Sequence, residues 1–141
     1  MALHLSLPAD IEDRLAGLGD AIGLCSPHVE FAYLFGSAAS GRLTPRSDVD
    51  VAIHVAPRAD RQAVRLAVAR AAARHLGTDA VDVVLLDTAP ISLSGRVLTG
   101  RRVIFERNPF VRHQFESLTL RKFHDFRIRE HRILASRRTH G

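Results

Sequence analysis

Three aspartates are the residues of this 141-residue chain with the clearest capacity for chemistry. Asp48 and Asp50 stand one residue apart in the segment DVDVAIHV, and Asp82 lies in the similar segment VDVVLL. Because side chains alternate between the two faces of a strand, Asp48 and Asp50 share one face while Val49 and Val51 share the other. If the two segments are neighbouring strands, all three carboxylates meet. Such oxygen ligands favour Mg²⁺, which proteins hold through one or two carboxylates together with substrate phosphates and water.

The stretch before the aspartates carries groups that suit a phosphate. Gly36-Ser37 follows the apolar run FAYLF and opens a short polar segment. Glycine lets the backbone approach a ligand closely, and the N–H groups that begin a helix point at an anion, with the Ser37 hydroxyl as a further donor. We therefore expect a nucleoside triphosphate site. Two metal ions in such a site can act on the attacking and leaving oxygens of a displacement.

Each of these motifs also has a purely structural interpretation. An Asp-x-Asp pair can simply solvate a strand end, and Gly-Ser can be an ordinary turn, so the prediction depends on their combination. Asp87 is a rival third carboxylate, but its odd spacing from Asp82 places it on the opposite face. His54 shares the face of Asp50 further along the strand, where a structural role is favoured. The eight histidines show no metal-ligand spacing, which argues against zinc.

The hydrophobic periodicity predicts the elements that would position these residues. Strands are predicted at 29–35, 48–55, 81–86 and 103–105, and helices at 8–23, 37–41, 60–76, 90–100 and from about 108 to 138. The fold class is therefore α/β (α+β), a small mixed sheet flanked by helices and followed by a long C-terminal helix. We expect residues 1–141 to form one domain with a core of about 10–106.

Basic residues are concentrated near the C-terminus. Residues 1–100 carry nine Arg and eleven acidic side chains, a net charge of −2, whereas residues 101–141 carry ten Arg, one Lys and four acidic side chains, a net charge of +7. This charge suits an acidic protein partner or a nucleic acid. The phenylalanines here have the spacing of a helix core rather than of a base-stacking platform, which favours a protein. The stripe predicted to face the core contains Val111, Phe115, Leu118, Phe126 and Ile133.

The composition indicates a protein without membrane association. Apolar residues make up 46% and charged residues 25% of the chain, as in ordinary globular proteins. No apolar stretch approaches the roughly 20 residues of a membrane span, and the N-terminus MALHLSLPADIEDRLAG lacks the basic region of a signal peptide. The single cysteine, Cys25, excludes an internal disulfide and fits a reducing compartment. We therefore expect a cytoplasmic location.

The pattern of Gly-Ser, ten residues and Asp-x-Asp resembles the signature of the DNA polymerase β-like nucleotidyltransferases. It runs here from Gly36-Ser37 to Asp48-Val49-Asp50, with Asp82 at the place of the third carboxylate. The short length and the run VDVVLLDTAP are similar to the minimal nucleotidyltransferases. The segments LSGRVLTGRRVIFERN and FVRHQFESL resemble the MntA-type adenylyltransferase antitoxins, which are paired with a HEPN ribonuclease toxin. The resemblance covers residues 12 to 135, approximately, and implies a nucleotidyltransferase-like fold.

The resemblance also implies a reaction. A protein adenylyltransferase of this type transfers AMP from ATP to a tyrosine hydroxyl of its HEPN toxin, with Mg²⁺, and so neutralises a toxin with which it forms a hetero-oligomer. Gly36 and Ser37 would hold the β- and γ-phosphates. Asp48 and Asp50 would bind the Mg²⁺ ions, which we expect to be two. Asp82 would share one ion and help to remove the proton of the attacking hydroxyl.

The chain departs from the family pattern at Ser40. Many members have a basic residue there, and Arg42 or Arg46 are the available substitutes. Two alternative functions stay open: a non-catalytic antitoxin that acts by binding its partner, and a nucleotidyltransferase for a small molecule such as an aminoglycoside, against which the lack of a further domain argues. Arg107 and His113 have a spacing similar to that in HEPN ribonucleases. Those enzymes need a separate four-helix domain, so nuclease activity is not expected.

Overall fold

The computed structural model describes residues 6–140, with side chains described to residue 137. Residues 1–5, where the segment compared above with signal peptides begins, and residue 141 lie outside this range. The helices are α1 (Ile11–Leu15), α2 (Leu18–Cys25), α3 (Ser37–Ser40), α4 (Arg61–Leu76), α5 (Ile91–Thr99) and α6 (Pro109–His140); the strands are β1 (Val29–Phe35), β2 (Val49–Val55), β3 (Val81–Leu85) and β4 (Arg102–Glu106). The predicted mixed α/β class with a long C-terminal helix is confirmed.

The four strands form one mixed sheet in the order β3-β2-β1-β4. Strand β1 pairs antiparallel with both β2 and β4, whereas β2 and β3 are parallel. A parallel pair needs a crossover connection, which α4 provides. In this pair Asp50 lies opposite Asp82, and Val51 lies opposite Val83. The two acidic segments are therefore neighbouring strands, as the predicted site requires.

Buried side chains cover both faces of the sheet. On one face Val49, Val51 and Ile53 pack with residues of α1, α2 and α4. On the other face Phe31, Tyr33 and Ala52 pack with Val97 and Leu98 of α5. Because residues alternate along β2, Asp50 belongs to the face of Ala52, on the side of α5.

The helix predicted over residues 8–23 is interrupted. Gly17 adopts a left-handed conformation with φ of 83° and separates α1 from α2; glycine enters this region at little cost. The break frees backbone carbonyls of Arg14 and Ala16, which lie 2.9 Å and 3.1 Å from His75 Nε2. Periodicity does not reveal the break because the apolar residues on either side of it keep helical spacing and are all buried: Ile11, Leu15, Leu18 and Ile22.

Helix α6 packs against α5 along its first half and is exposed along its second. The two helices approach closely at Gly95 of α5, where a Cβ atom would lie 2.1 Å from the ring of Phe123. The prediction that Leu118 and Ile133 face the core is wrong, because their exposed fractions are 47% and 54%. None of the helices within residues 6–140 combines the length and the apolar character that a membrane crossing demands.

Candidate active site

Three carboxylates meet where β2 and β3 begin. Asp50 and Asp82 are register partners, and Asp48 directly precedes β2. Asp48 and Asp82 are exposed, whereas Asp50 is half-buried. Burial raises the pKa of Asp50, and the negative charges of Asp82 and Asp48 raise it further. The structure thus brings the three predicted side chains together, with Asp50 at the electrostatic centre of the group.

Gly36 borders this carboxylate cluster (Asp48, Asp50 and Asp82) on the side of β1. The last residue of β1, Phe35, is the register partner of Asp50, so the chain leaves the sheet beside that carboxylate. Gly36 has φ of 62° and ψ of −143°, a region that is essentially reserved for glycine. A Cβ atom at Gly36 would lie only 2.8 Å from Asp50 Oδ2. A glycine is therefore required both by the backbone and by the neighbouring carboxylate.

The short helix α3 follows Gly36 at once. The first N–H groups of a helical turn have no acceptor within it, so the amide and the hydroxyl of Ser37 are donors beside the carboxylate cluster. The Ser40 hydroxyl instead donates to the carbonyls of Gly36 and Ser37, at 3.3 Å and 3.4 Å, and so stabilises the turn. The amide of Arg42 donates to Ser37 O at 3.0 Å. Arg42 and Arg46 are both exposed in the loop between α3 and β2.

The donor set fits a hard divalent cation that is bound together with phosphates. Every donor is an oxygen, and the ionised form of Asp50 is disfavoured by burial and by its neighbours, which a cation would relieve. No group of three or more His, Cys, Asp and Glu side chains in the described part of the chain is arranged to hold a metal ion. A cation here would take one or two carboxylates and complete its coordination with phosphate oxygens and water, as Mg²⁺ commonly does.

Asp87 and His54 lie together, away from the carboxylate cluster. His54 Nε2 is 3.5 Å from Asp87 Oδ1, and the His54 ring stacks on Phe31 with centroids 4.8 Å apart. The expectation that Asp87 faces the opposite side of the sheet does not hold, since β3 ends at Leu85 and the alternation ends with it. Distance along the strand separates the two groups instead: the four residues from Asp50 to His54 span about 13 Å.

The remaining candidates have structural environments. Arg107 donates to three backbone carbonyls between residues 23 and 29, which fixes the connection from α2 to β1. His113 is exposed on α6. Burial raises the pKa of the Cys25 thiol, so its reactive thiolate form is disfavoured. Arg107, His113 and Cys25 are thus not among the residues that form or border the carboxylate cluster.

A buried polar group that was not predicted from the sequence ties α6 to the sheet. Glu116 accepts hydrogen bonds from the Tyr33 hydroxyl at 2.7 Å and from Arg101 Nε at 2.6 Å, and it pairs with Arg112. Burial and the bond to Glu116 raise the pKa of Tyr33, which stays a protonated donor. Burial favours protonation of Glu116, but the bonds from Tyr33 and Arg101 hold its pKa below the ordinary value. The sequence feature that could have indicated this group is a glutamate directly after Phe115, within the stripe of α6 that was predicted to face the core.

Comparison with known proteins is consistent with this geometry. The sequence profile of the family described as polymerase beta, nucleotidyltransferase matches residues 23–110. That range contains the three aspartates as well as Gly36 and Ser37. Among curated proteins, none matches the sequence.

Several solved structures share the fold over most of the chain. A chain of a toxin–antitoxin crystallised with AMP-PNP is 25% identical, with a TM-score of 0.68, over 89% of this chain and 96% of that one. A chain of a mutant of the toxin–antitoxin MntA-HpeT is 26% identical, with a TM-score of 0.67, over 83% and 91%. A chain of the complex of tri-AMPylated Shewanella oneidensis HEPN toxin with MNT antitoxin is 21% identical, with a TM-score of 0.66, over 89% and 97%.

Proposed function

This chain belongs to the polymerase beta nucleotidyltransferase family, and we propose that it is the antitoxin that transfers AMP from ATP to a tyrosine hydroxyl of a cognate HEPN ribonuclease toxin. The observation that carries the proposal is the convergence of Asp48, Asp50 and Asp82 beside the Gly36-Ser37 backbone. The similarity to a chain of a toxin–antitoxin crystallised with AMP-PNP supports an adenine nucleotide as donor and an antitoxin role. The HEPN toxin as partner follows from the resemblance of the C-terminal segments to MntA-type antitoxins.

In the proposed reaction the turn at Gly36 holds the terminal phosphates of ATP. The missing side chain of Gly36 leaves the backbone accessible, and the amide and hydroxyl of Ser37 donate to phosphate oxygens. Arg42 and Arg46 contribute positive charge from the loop that follows, where Ser40 is engaged with the backbone. These contacts orient the α-phosphate toward the carboxylate cluster.

The carboxylates have two proposed roles, to hold metal ions and to accept the proton of the attacking hydroxyl. Asp48 and Asp50 would hold Mg²⁺, proposed as two ions, with Asp82 sharing one. When bound, Mg²⁺ neutralises phosphate charge and makes a nearby hydroxyl more acidic. Asp82 accepts the proton of the attacking tyrosine, whose ordinary pKa of about 10 would otherwise keep it protonated. The tyrosine oxygen then bonds to the α-phosphorus while the bond to the bridging oxygen breaks, and pyrophosphate leaves.

The test is transfer of label from α-labelled ATP to the purified product of the adjoining toxin gene in the presence of Mg²⁺. We expect label on a toxin tyrosine, located and counted as AMP units by mass spectrometry. The double variant Asp48→Ala/Asp50→Ala should lose transfer by about 10²–10³-fold or more. Asp20→Asn is the matched control, since Asp20 is an exposed acid on α2 and α2 packs on the other face of the sheet.

The same experiment separates the alternatives. If the wild-type chain neutralises the toxin while no label is transferred, the chain is a non-catalytic antitoxin. If label reaches an aminoglycoside but not the toxin, the acceptor is a small molecule. Either result rejects the proposed protein adenylylation.

A further inference from the structure

The second half of α6 forms an apolar groove with the start of α5. Phe126, Ile133 and Leu134 of α6 line this distal groove together with Ile91, the first residue of α5. Phe126 lies three residues after Phe123, which packs on α5, and Ile133 lies seven residues further, about two helical turns along the same side of α6. Ile133 and Leu134 are nevertheless 54% and 48% exposed. Large aliphatic side chains that lie side by side in water favour burial against a partner.

The part of α6 that follows Glu116 carries an excess of positive charge. Residues 117–137 carry six basic and two acidic side chains, a net charge of +4. No ion pair among the described residues involves any of them. In the first half of the helix, by contrast, Arg112 pairs with both Glu106 and Glu116. The basic side chains that line the distal groove are Lys122, Arg129 and Arg137, beside the acids Asp125 and Glu130.

We propose that the distal groove docks an acidic amphipathic helix of the partner toxin. The apolar stripe of that helix fills the groove over Ile133 and Leu134, and its carboxylates pair with the basic lining. This inference rests on the proposed function for the identity of the partner. The groove lining contains none of the carboxylate cluster and neither Gly36 nor Ser37. Docking is therefore separate from the reacting groups and contributes to KM rather than to kcat.

Two other possible occupants of the distal groove fit its charge and lining less well. A second copy of the chain would bring two surfaces of net charge +4 together, and like charges oppose association. A nucleic acid would suit the charge, but Phe123 packs against Gly95 of α5 and Phe126 is half-buried, so the exposed apolar residues of the groove, Ile133 and Leu134, are aliphatic. A surface of that kind offers no base-stacking platform.

The test compares toxin binding by full-length variants in titration calorimetry. We expect Ile133→Glu/Leu134→Glu to raise Kd for the toxin by about tenfold or more, and KM for the toxin to rise with kcat unchanged. Both positions are exposed, so circular dichroism should show an unaltered fold. Leu24→Glu is the control for an exposed leucine elsewhere, at 88% exposure on α2. Arg129→Glu/Arg137→Glu should weaken binding similarly, whereas Arg70→Glu/Arg74→Glu on α4 should not.

The outcomes distinguish this proposal from the proposed function. Unchanged Kd in both groove variants overturns the docking surface, even where AMP transfer is observed. Groove-dependent binding without AMP transfer supports the surface while it rejects the enzyme. A wild-type dimer that Ile133→Glu/Leu134→Glu dissociates would assign the groove to a second copy instead. RNA binding that Arg129→Glu/Arg137→Glu abolishes, without toxin binding, would assign it to nucleic acid.

Discussion

At the scale of single residues, Asp50 is the side chain with the least favourable surroundings in the site. It is half-buried, it lies beside two other carboxylates, and the position that a Cβ atom of Gly36 would occupy is 2.8 Å from its Oδ2 atom. Functional sites often retain such unfavourable arrangements at the expense of stability. The free energy of unfolding should therefore respond to the charge of this one residue.

We expect Asp50→Asn to stabilise the protein at neutral pH. Because folding raises the pKa of Asp50 above its ordinary 3.8, the protonated side chain adds stability below that pH, and the contribution is lost as pH rises through the folded-state pKa. At pH 7 the ionised side chain therefore opposes folding. The amide should raise Tm by roughly 2–5 °C, and the gain should shrink as the pH falls toward 3.8. Thermal scans of both proteins across this pH range measure the effect.

The same variant probes the proposed metal site. Mg²⁺ with ATP should raise the Tm of the wild-type protein, since a ligand that binds the folded state stabilises it, and this rise should be lost in Asp50→Asn. Asp20→Asn serves as the control that keeps the ligand response. An Asp50→Asn protein that is less stable than wild type at pH 7 would contradict the electrostatic interpretation.

The position of the site residues could be predicted because the alternation of side chains along a strand is a local property. Asp48 and Asp50 share a face wherever the backbone between them is extended, and Gly36-Ser37 is adjacent to a strand end in the sequence itself. The location of Asp87 could not be predicted in this way, since it depends on where β3 ends. The partners of Glu116 are Tyr33 and Arg101, which are distant in sequence, so spacing gives no information on them.

At the scale of elements, the contact between α5 and α6 is set by a glycine. A glycine inside a helix usually costs about 1 kcal/mol relative to alanine. At Gly95 the added methyl group would lie 2.1 Å from the ring of Phe123. The two helices can be this close only because Gly95 has no side chain.

We therefore expect Gly95→Ala to destabilise the protein, the reverse of the usual sign for this substitution. The overlap with Phe123 should reduce the free energy of unfolding by about 1–3 kcal/mol, measured by urea denaturation. Gly100→Ala is the matched control, because no atom lies within 4 Å of a Cβ atom at Gly100 and its φ of −121° suits any residue. A Gly95→Ala protein more stable than wild type would show that α6 is not held at this point.

The positions of the helices could be predicted from hydrophobic periodicity, but the elements against which they pack could not. Apolar spacing predicts that one face of α6 is buried, yet α5 has 9 residues and α6 has 32. At 1.5 Å per residue the two helices are about 14 Å and 48 Å long. The stripe of α6 therefore continues beyond its partner, which explains why Ile133 is exposed. The break at Gly17 was missed for a related reason, since tertiary packing buries the residues on both sides.

At the scale of the whole molecule, the excess of positive charge and the carboxylate cluster lie in different parts of the sequence. Residues 1–100, which include the carboxylate cluster, carry a net charge of −2, and residues 101–141 carry +7. Such an asymmetry steers an acidic partner toward one end of a protein before contact is made. The sequence shows this separation directly, but the sheet order that places the carboxylates together depends on pairing between distant segments.

We expect the association rate with the proposed toxin partner to depend strongly on salt. Raising the ionic strength from about 0.05 M to 0.5 M should lower kon by about tenfold or more, because screening shortens the range of the field. Arg129→Glu/Arg137→Glu should show a shallower dependence, and koff should change little with salt for either protein. Stopped-flow fluorescence gives both rates. A kon that is independent of salt would rule out steering by the basic helix.

The close approach of Gly36 to Asp50 has an evolutionary consequence. Any replacement of this glycine would at once crowd the proposed phosphate-binding turn and displace a carboxylate, while the far end of α6 would be untouched. A single codon change would thus convert the proposed enzyme into a protein that still captures its partner but no longer modifies it. Descendants of this scaffold that act by sequestration alone should be recognisable by a side chain at that position.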